Sequence, residues 1–195
     1  MRDEQNSTFA TADAAERIEQ RKPGKREQEH RGRLAFYHAN SQGTGTAIQF
    51  ELRMNRPGED RYDCIFMEMA KQKSLVTTSN DQRKPATFDW SNKVTVKLDF
   101  SDICAMLLVL EGRREKISDS RSGLYHEAAG SSTIISLDKS TKQSGCYLGI
   151  SKKAKGGDSI FKGQILLDDA ESLGLKSVLQ SSLFFIAFHK NLNEM

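Results

Sequence analysis

The stretch Gly145-Cys146-Tyr147-Leu148-Gly149-Ile150-Ser151-Lys152-Lys153-Ala154-Lys155-Gly156-Gly157 decides how this chain is read. At the two-residue period of a strand, Cys146, Leu148 and Ile150 share one side, while Tyr147, Gly149, Ser151 and Lys153 share the other. The first side suits a core. The second offers an aromatic ring, two residues small enough to let a flat group approach the backbone, and then the ammonium groups of Lys152, Lys153 and Lys155. Rings stack on tyrosine and lysines neutralise phosphates, so this face fits a ligand with flat rings and an anionic backbone. The plainer reading of the same residues is a surface strand ending in a solvated Lys/Gly turn.

The stretch has an echo earlier in the chain. Cys64-Ile65-Phe66, with Lys71 and Lys73 downstream, parallels Cys146-Tyr147-Leu148 with Lys153 and Lys155 downstream. Tyr37-His38 parallels Tyr125-His126, and Gly45-Thr46-Ala47-Ile48-Gln49-Phe50-Glu51 parallels Ser132-Thr133-Ile134-Ile135-Ser136-Leu137-Asp138. Around these matches the elements fall in one order. Strands are expected over 33–40, 47–55 and 62–73, then a polar loop over 77–87, and a fourth strand over 93–99 in which Val94, Val96 and Leu98 alternate with Lys93, Thr95 and Lys97. The period then lengthens. Ile103, Met106, Leu107 and Leu110 take the i, i+3, i+4, i+7 spacing of a helix, with Ser101 as its expected N-cap and Gly112 as its stop. After a polar linker over 113–122 the order returns. Residues 160–167 stand for the fourth strand, and Asp168-Asp169 caps a last helix through Leu175, Val178, Leu179, Leu183 and Ile186. The shared order implies an internal duplication. The expected fold is α+β: two ββββα repeats, 32–112 and 123–189, forming two antiparallel sheets each backed by a helix.

Composition sets the outer bounds. The 195 residues suffice for one sizeable core, and 29 Lys and Arg against 26 Asp and Glu leave a net charge of +3, so any basic surface must come from arrangement. Residues 1–31 alternate acids and bases around few apolar side chains and read as a disordered charged tail, with a transient helix over 12–21 ended by Pro23-Gly24. No apolar run spans a bilayer, and the tail is too acidic for a transit peptide. The expectation is therefore an intracellular protein, cytoplasmic or nucleoid-associated with a mitochondrial site as the disfavoured alternative, and no membrane partner. Cys64, Cys104 and Cys146 lie far apart in apolar patterns and read as free buried thiols.

The duplicated order, the length left after the tail, and the basic strands facing away from the helices resemble the Whirly fold. Plant Whirly proteins, the Pur-alpha proteins and the mitochondrial guide-RNA-binding proteins of trypanosomes share that fold. The resemblance covers about residues 33–189. The Lys-Gly-Lys-Ala-Ala-Leu signature of plant Whirly proteins has no counterpart at Gly45-Thr46-Ala47-Ile48-Gln49-Phe50, which argues against a plant-type member. The resemblance implies a non-catalytic binder of single-stranded DNA or RNA with little sequence specificity, working as a dimer or tetramer in protection, annealing or transcriptional regulation.

Candidate site residues follow from the outward strand faces. Tyr37, Tyr125 and Tyr147 are candidates for base stacking; Lys71, Lys73, Lys152, Lys153 and Lys155, with Arg53, Lys139 and Lys142 on neighbouring strands and loops, are candidates for phosphate contact. Trp90, the only tryptophan, reads as a cap on the core edge, with stacking as the second reading. Residues 183–188 (LFFIAF) are apolar nearly all round, so Leu183, Phe184, Phe185 and Phe188 are candidates for an oligomer interface. The four histidines never take metal spacing, no nucleophile has a base beside it, and Lys155-Gly156-Gly157-Asp158 is too short for a phosphate loop. No catalytic residue, metal, cofactor or small-molecule substrate is expected. The alternative class is a protein-interaction or assembly module using the C-terminal helix and the charged tail.

Overall fold

Ile48, Phe50 and Leu52 alternate with Gln49, Glu51 and Arg53, and the chain obeys that alternation by turning the first set inward. The computed structural model describes residues 32–54, 63–79, 82–118, 123–128 and 130–192. The readings made for the tail, the turn at 56–60 and Tyr62 lie outside these. From Gly32 onward the described chain is one unit. In order it runs β1 (Arg33–His38), β2 (Thr46–Arg53), β3 (Cys64–Ser74), β4 (Thr77–Ser79), β5 (Gln82–Lys84), β6 (Thr87–Phe88), a 3₁₀ turn (Trp90–Asn92), β7 (Val94–Leu98) and α1 (Phe100–Leu110). The second half runs β8 (Leu124–Ala128), β9 (Ser131–Lys139), β10 (Cys146–Ala154), β11 (Ser159–Leu167) and α2 (Asp169–Leu192). Two antiparallel sheets result. The first is ordered β1-β2-β3-β7 with β6 also on β3, and the second β8-β9-β10-β11. No helix among the described residues is long and apolar enough to cross a membrane.

Residues 77–87 depart from the expected loop. Thr77 pairs with Lys84 and Thr78 with Arg83 in a small hairpin, because β-branched threonines accept an extended backbone without an apolar face to bury.

The pairing registers also correct the sequence match. Ile48 stands opposite Met69 and Phe50 opposite Met67, as Ile135 stands opposite Ile150 and Leu137 opposite Leu148. Glu51 then faces Phe66, and Asp138 faces Tyr147. The counterpart of Tyr147 is therefore Phe66, and the match of Cys64 to Cys146 is one residue out of register. In a strand that slip exchanges the two faces: Cys146 is on the core side of β10, while Ile65, not Cys64, is on the core side of β3. Cys64 and Cys146 are both buried, and burial pushes their thiols up, which disfavours thiolate chemistry.

The helices brace both sheets. α1 packs on β7 and also on β9, while α2 packs on β11 and also on β1, and the helices touch each other. One apolar cluster accordingly runs from Ile48, Met67 and Val96 through Ile103 and Met106 to Leu137, Leu148, Ile150, Leu175 and Leu179. At roughly 1.5–3 kcal/mol for each large apolar side chain removed from water, this shared cluster is the main favourable term for both halves.

Each helix starts on a reciprocal acid pair. Asp99 Oδ1 accepts from Asp102 N (2.9 Å) and Asp102 Oδ2 from Asp99 N (3.1 Å); Asp168 Oδ1 accepts from Glu171 N (2.8 Å) and Glu171 Oε2 from Asp168 N (3.1 Å). The cap of α1 is thus Asp99 and not Ser101, because the box satisfies two backbone donors and places negative charge at the positive helix end. The second acid of each box reaches across the molecule. Glu171 Oε1 lies 2.7 Å from His38 Nε2 on the first sheet, and Asp102 Oδ2 lies 3.3 Å from His126 Nε2 on the second. The paired Tyr-His sequences therefore supply two cross-braces between the halves. We expect a double-mutant cycle on His38→Ala and Glu171→Gln, read by urea unfolding at pH 6, to return a coupling of about 0.5–1 kcal/mol. Additive single effects would reduce the contact to mere proximity.

Candidate nucleic-acid interface

With the inward sides of both sheets in the core, the surfaces left for a ligand are the outward sides. On the second sheet the registers line them up in rows across β11, β10, β9 and β8. Leu166, Tyr147 and Asp138 form one row; Gln164, Gly149 and Ser136 the next; Lys162, Ser151, Ile134 and Tyr125 the third; and Ser159, Lys153, Ser132 and Glu127 the fourth. The centre is flat because of Gly149, where an added Cβ would meet Ser136 Oγ at 2.7 Å. Tyr147, half-buried, and Tyr125, 49% exposed, stand on either side of that flat centre.

Lys162 enters this surface as a residue the sequence reading passed over. It is exposed beside Ser151, and the alternation of buried Phe161, Ile165 and Leu167 with exposed Lys162 and Gln164 was the signal that could have found it. At the fourth row, Lys153 joins Lys155, Tyr125, Glu127, Ser131 and Ser132 around an open cleft of about 610 Å³. At the other margin, Lys162 and Gln164 meet Lys71, Gln72, Thr44 and Thr46 around a second cleft of about 420 Å³, where the end of β3 approaches β11. Lysines therefore flank the flat centre from both ends.

The remaining candidates are dispersed. Lys152 falls on the inward side at the end of β10, opposite Thr133 and Phe161, and is half-buried. The Lys71 ammonium sits over the Phe161 ring, 5.4 Å from its centroid. Lys73 is exposed close enough to Asp89 to help hold that carboxyl below its usual range, after the Asn92 side-chain amide, the larger influence. Lys139 turns to Glu115, 3.3 Å away, and lies beside Gly112 at the end of α1. Lys142 is exposed in the β9–β10 loop. On α2, Phe184, Phe185 and Phe188 are exposed and Phe184 meets both of the others, whereas Leu183 packs on the chain's own core.

The outward side of the first sheet has a different electrostatic character. Arg33 Nε pairs with Glu51 at 2.8 Å, and the Arg53 guanidinium lies over the Phe66 ring, 5.6 Å from its centroid. At the position equivalent to Gly149 stands Glu68, which accepts from Gln49, from Lys93 Nζ at 2.7 Å and from Thr95 Oγ1 at 3.1 Å. Burial by itself would raise the Glu68 carboxyl; the Lys93 ammonium and the Gln49 and Thr95 donors outweigh it and hold the group below the usual carboxylate range. A fixed anion thus occupies the centre of this face.

No protein-family model and no curated protein matches the sequence. Solved structures do match. The chain superposes on WHY1 from Arabidopsis thaliana with a TM-score of 0.61 at 16% identity, over 84% of this chain and 89% of that one. It superposes on the plant transcriptional regulator PBF-2 with a TM-score of 0.57 at 14% identity, over 84% and 87%. Trypanosoma brucei MRP1/MRP2 gives a TM-score of 0.55 at 18% identity, over 92% and 96%. The fold is Whirly-like.

Glu68 yields a pH signature. Its folded value lies below the unfolded one of about 4.3, so its contribution is complete at neutral pH and disappears as pH falls through the folded value. Glu68→Gln should cost about 1 kcal/mol in denaturant unfolding at pH 7, and that cost should shrink progressively as pH falls below the ordinary carboxylate range. A cost independent of pH would mean the charge of Glu68 contributes nothing.

Proposed function

We propose that this protein binds single-stranded nucleic acid across the outward side of its second sheet, without catalysis and with little sequence preference. The observation that carries this reading is the flat Gly149-centred surface with Tyr147 and Tyr125 beside it and Lys153, Lys155 and Lys162 at its margins. A base can stack on a tyrosine beside the low, uncharged centre, while ammonium groups at the margins meet the phosphates on either side. The Whirly-like resemblance implies the same ligand class, and one structural neighbour carries the description of a transcriptional regulator. Duplicated ββββα units, 32–112 and 123–189, account for the matching registers and the two acid boxes.

Fluorescence anisotropy of a labelled strand of about 30 nucleotides, as DNA and as RNA, tests this. Affinity should fall steeply with salt. Changing Lys153, Lys155 and Lys162 together to Ala should weaken binding by tenfold or more and lower the slope of log K against log salt by about 2. Failure of either strand to bind at low salt would sink the proposal, and binding untouched by the triple change would move the site elsewhere.

Self-association through α2 is a second part of the reading, supported by the exposed Phe184, Phe185 and Phe188 rings. Sedimentation of the unaltered chain should give a dimer or larger assembly, and the Phe184→Ser/Phe188→Ser chain should sediment as a monomer at the same concentration. A monomeric parent chain would remove this part.

A further inference from the structure

The first sheet carries a group of aromatic rings that the platform on the second does not use. Tyr37 is 57% exposed on the outward side of β1. Its ring centroid lies 5.7 Å from that of Phe88 on β6, tilted by 52°, and 6.3 Å from that of Trp90, edge-on at 80°. Phe88 is set opposite Gln72 by the pairing of β6 with β3, and Trp90 opens the 3₁₀ turn. That turn is tied down. Asp89 N donates to Lys71 O at 2.8 Å, and Asn92 Nδ2 donates to Asp89 Oδ2 at 2.7 Å. The row running inward from Tyr37 is Ala47 and then Ala70, both fully buried although their register turns them outward. These small side chains are covered completely, while Tyr37 stays exposed and Phe88 and Trp90 remain only half-buried, so ring surface is left to solvent above them.

Cations lie on the neighbouring segments. Lys73 acts on Asp89, the residue before Trp90, and Lys71, whose backbone carbonyl accepts from the Asp89 amide, lays its ammonium over Phe161 and lines the cleft shared with Lys162. Arg83 and Lys84 are exposed on β5, a few residues before Phe88. Tyr125, which occupies the position equivalent to Tyr37 in the second sheet, has no ring partner among the described residues. Among the described residues the aromatic group therefore belongs to one half.

We propose that Tyr37, Phe88 and Trp90 form a separate stacking subsite for an unpaired nucleobase of a strand that leaves the second sheet past Lys162 and Lys71. The inference rests on the nucleic-acid reading above and adds to it a position on the other half of the molecule. An aromatic group alone is only a surface feature. Here the neighbouring cations complement a phosphate backbone, and the turn holds Trp90 in place before any ligand arrives, which makes a base of a single strand the matching occupant.

Trp90 is the only tryptophan, so its emission reports on this subsite with no alteration of the chain. The full chain is titrated with an unlabelled single-stranded oligonucleotide while anisotropy of a labelled copy follows overall binding. A matched strand of abasic residues, carrying the same phosphates, serves as the comparison. Trp90 emission should be quenched in step with binding of the normal strand and hardly change with the abasic one. Tyr37→Ala should weaken binding by about five- to a hundredfold, the range expected for one lost stacking contact. Trp90→Phe should bind nearly as tightly with no optical signal. Binding that leaves Trp90 emission unchanged, or equal quenching by the abasic strand, would overturn the subsite and leave the second-sheet reading intact. If anisotropy detects no binding of either strand, both readings fall together.

Discussion

Each of the two sheets has one side that must leave water, and a single set of side chains serves both. Ile48, Met67 and Met69 from the first sheet and Ile135, Leu148 and Ile150 from the second enter one cluster with Ile103, Met106, Leu175 and Leu179 of the helices. Because the side-chain period of a strand is two, committing these residues to the core commits their neighbours to the opposite side. Everything available to a ligand is what that constraint leaves outward. The acid boxes add direction to it, since the same carboxylates that start the helices also meet histidines of the opposite sheet.

The two halves share this framework and differ in what they place at equivalent outward positions. Where the first sheet has Glu68, held by Lys93, Gln49 and Thr95, the second has Gly149. A fixed carboxylate repels phosphate and fills its own space, whereas Gly149 brings no charge and no side chain, and the Ser136 hydroxyl covers it. The first half has instead gathered Tyr37, Phe88 and Trp90 at its margin, using a short strand and a 3₁₀ turn with no equivalent among the described residues of the second half. Shared folding constraints thus coexist with divergent surfaces, since outward side chains are under no packing demand from the core.

Much of this was legible along the chain. Strong alternation in 47–55, 93–99 and 146–153 identified strands and their buried sides, and the helical spacing of Ile103, Met106, Leu107 and Leu110 identified α1, because those periods report burial directly. The cap of α1 was misplaced by two residues, since a reciprocal acid pair outcompetes a single serine. The cysteine match slipped by one residue, since identity between short segments carries no information about which side a residue faces. Lys162 was missed in a strand read only for its apolar positions. Lys139 and Lys152 were read as outward from their charge, while the structure turns one to Glu115 and sets the other on the inward side of its strand.

Local period and turn chemistry act between residues close in the chain, so the order of the elements, the buried side of most strands and the α+β class follow from the residues alone. Only the tertiary structure decided which outward residues share a row, that His38 and His126 meet the acids of the opposite helices, and that Tyr37, Phe88 and Trp90 come together. Those relations depend on strand register and on the packing of one half against the other. Both are set by contacts between residues distant in the chain, which no local pattern encodes.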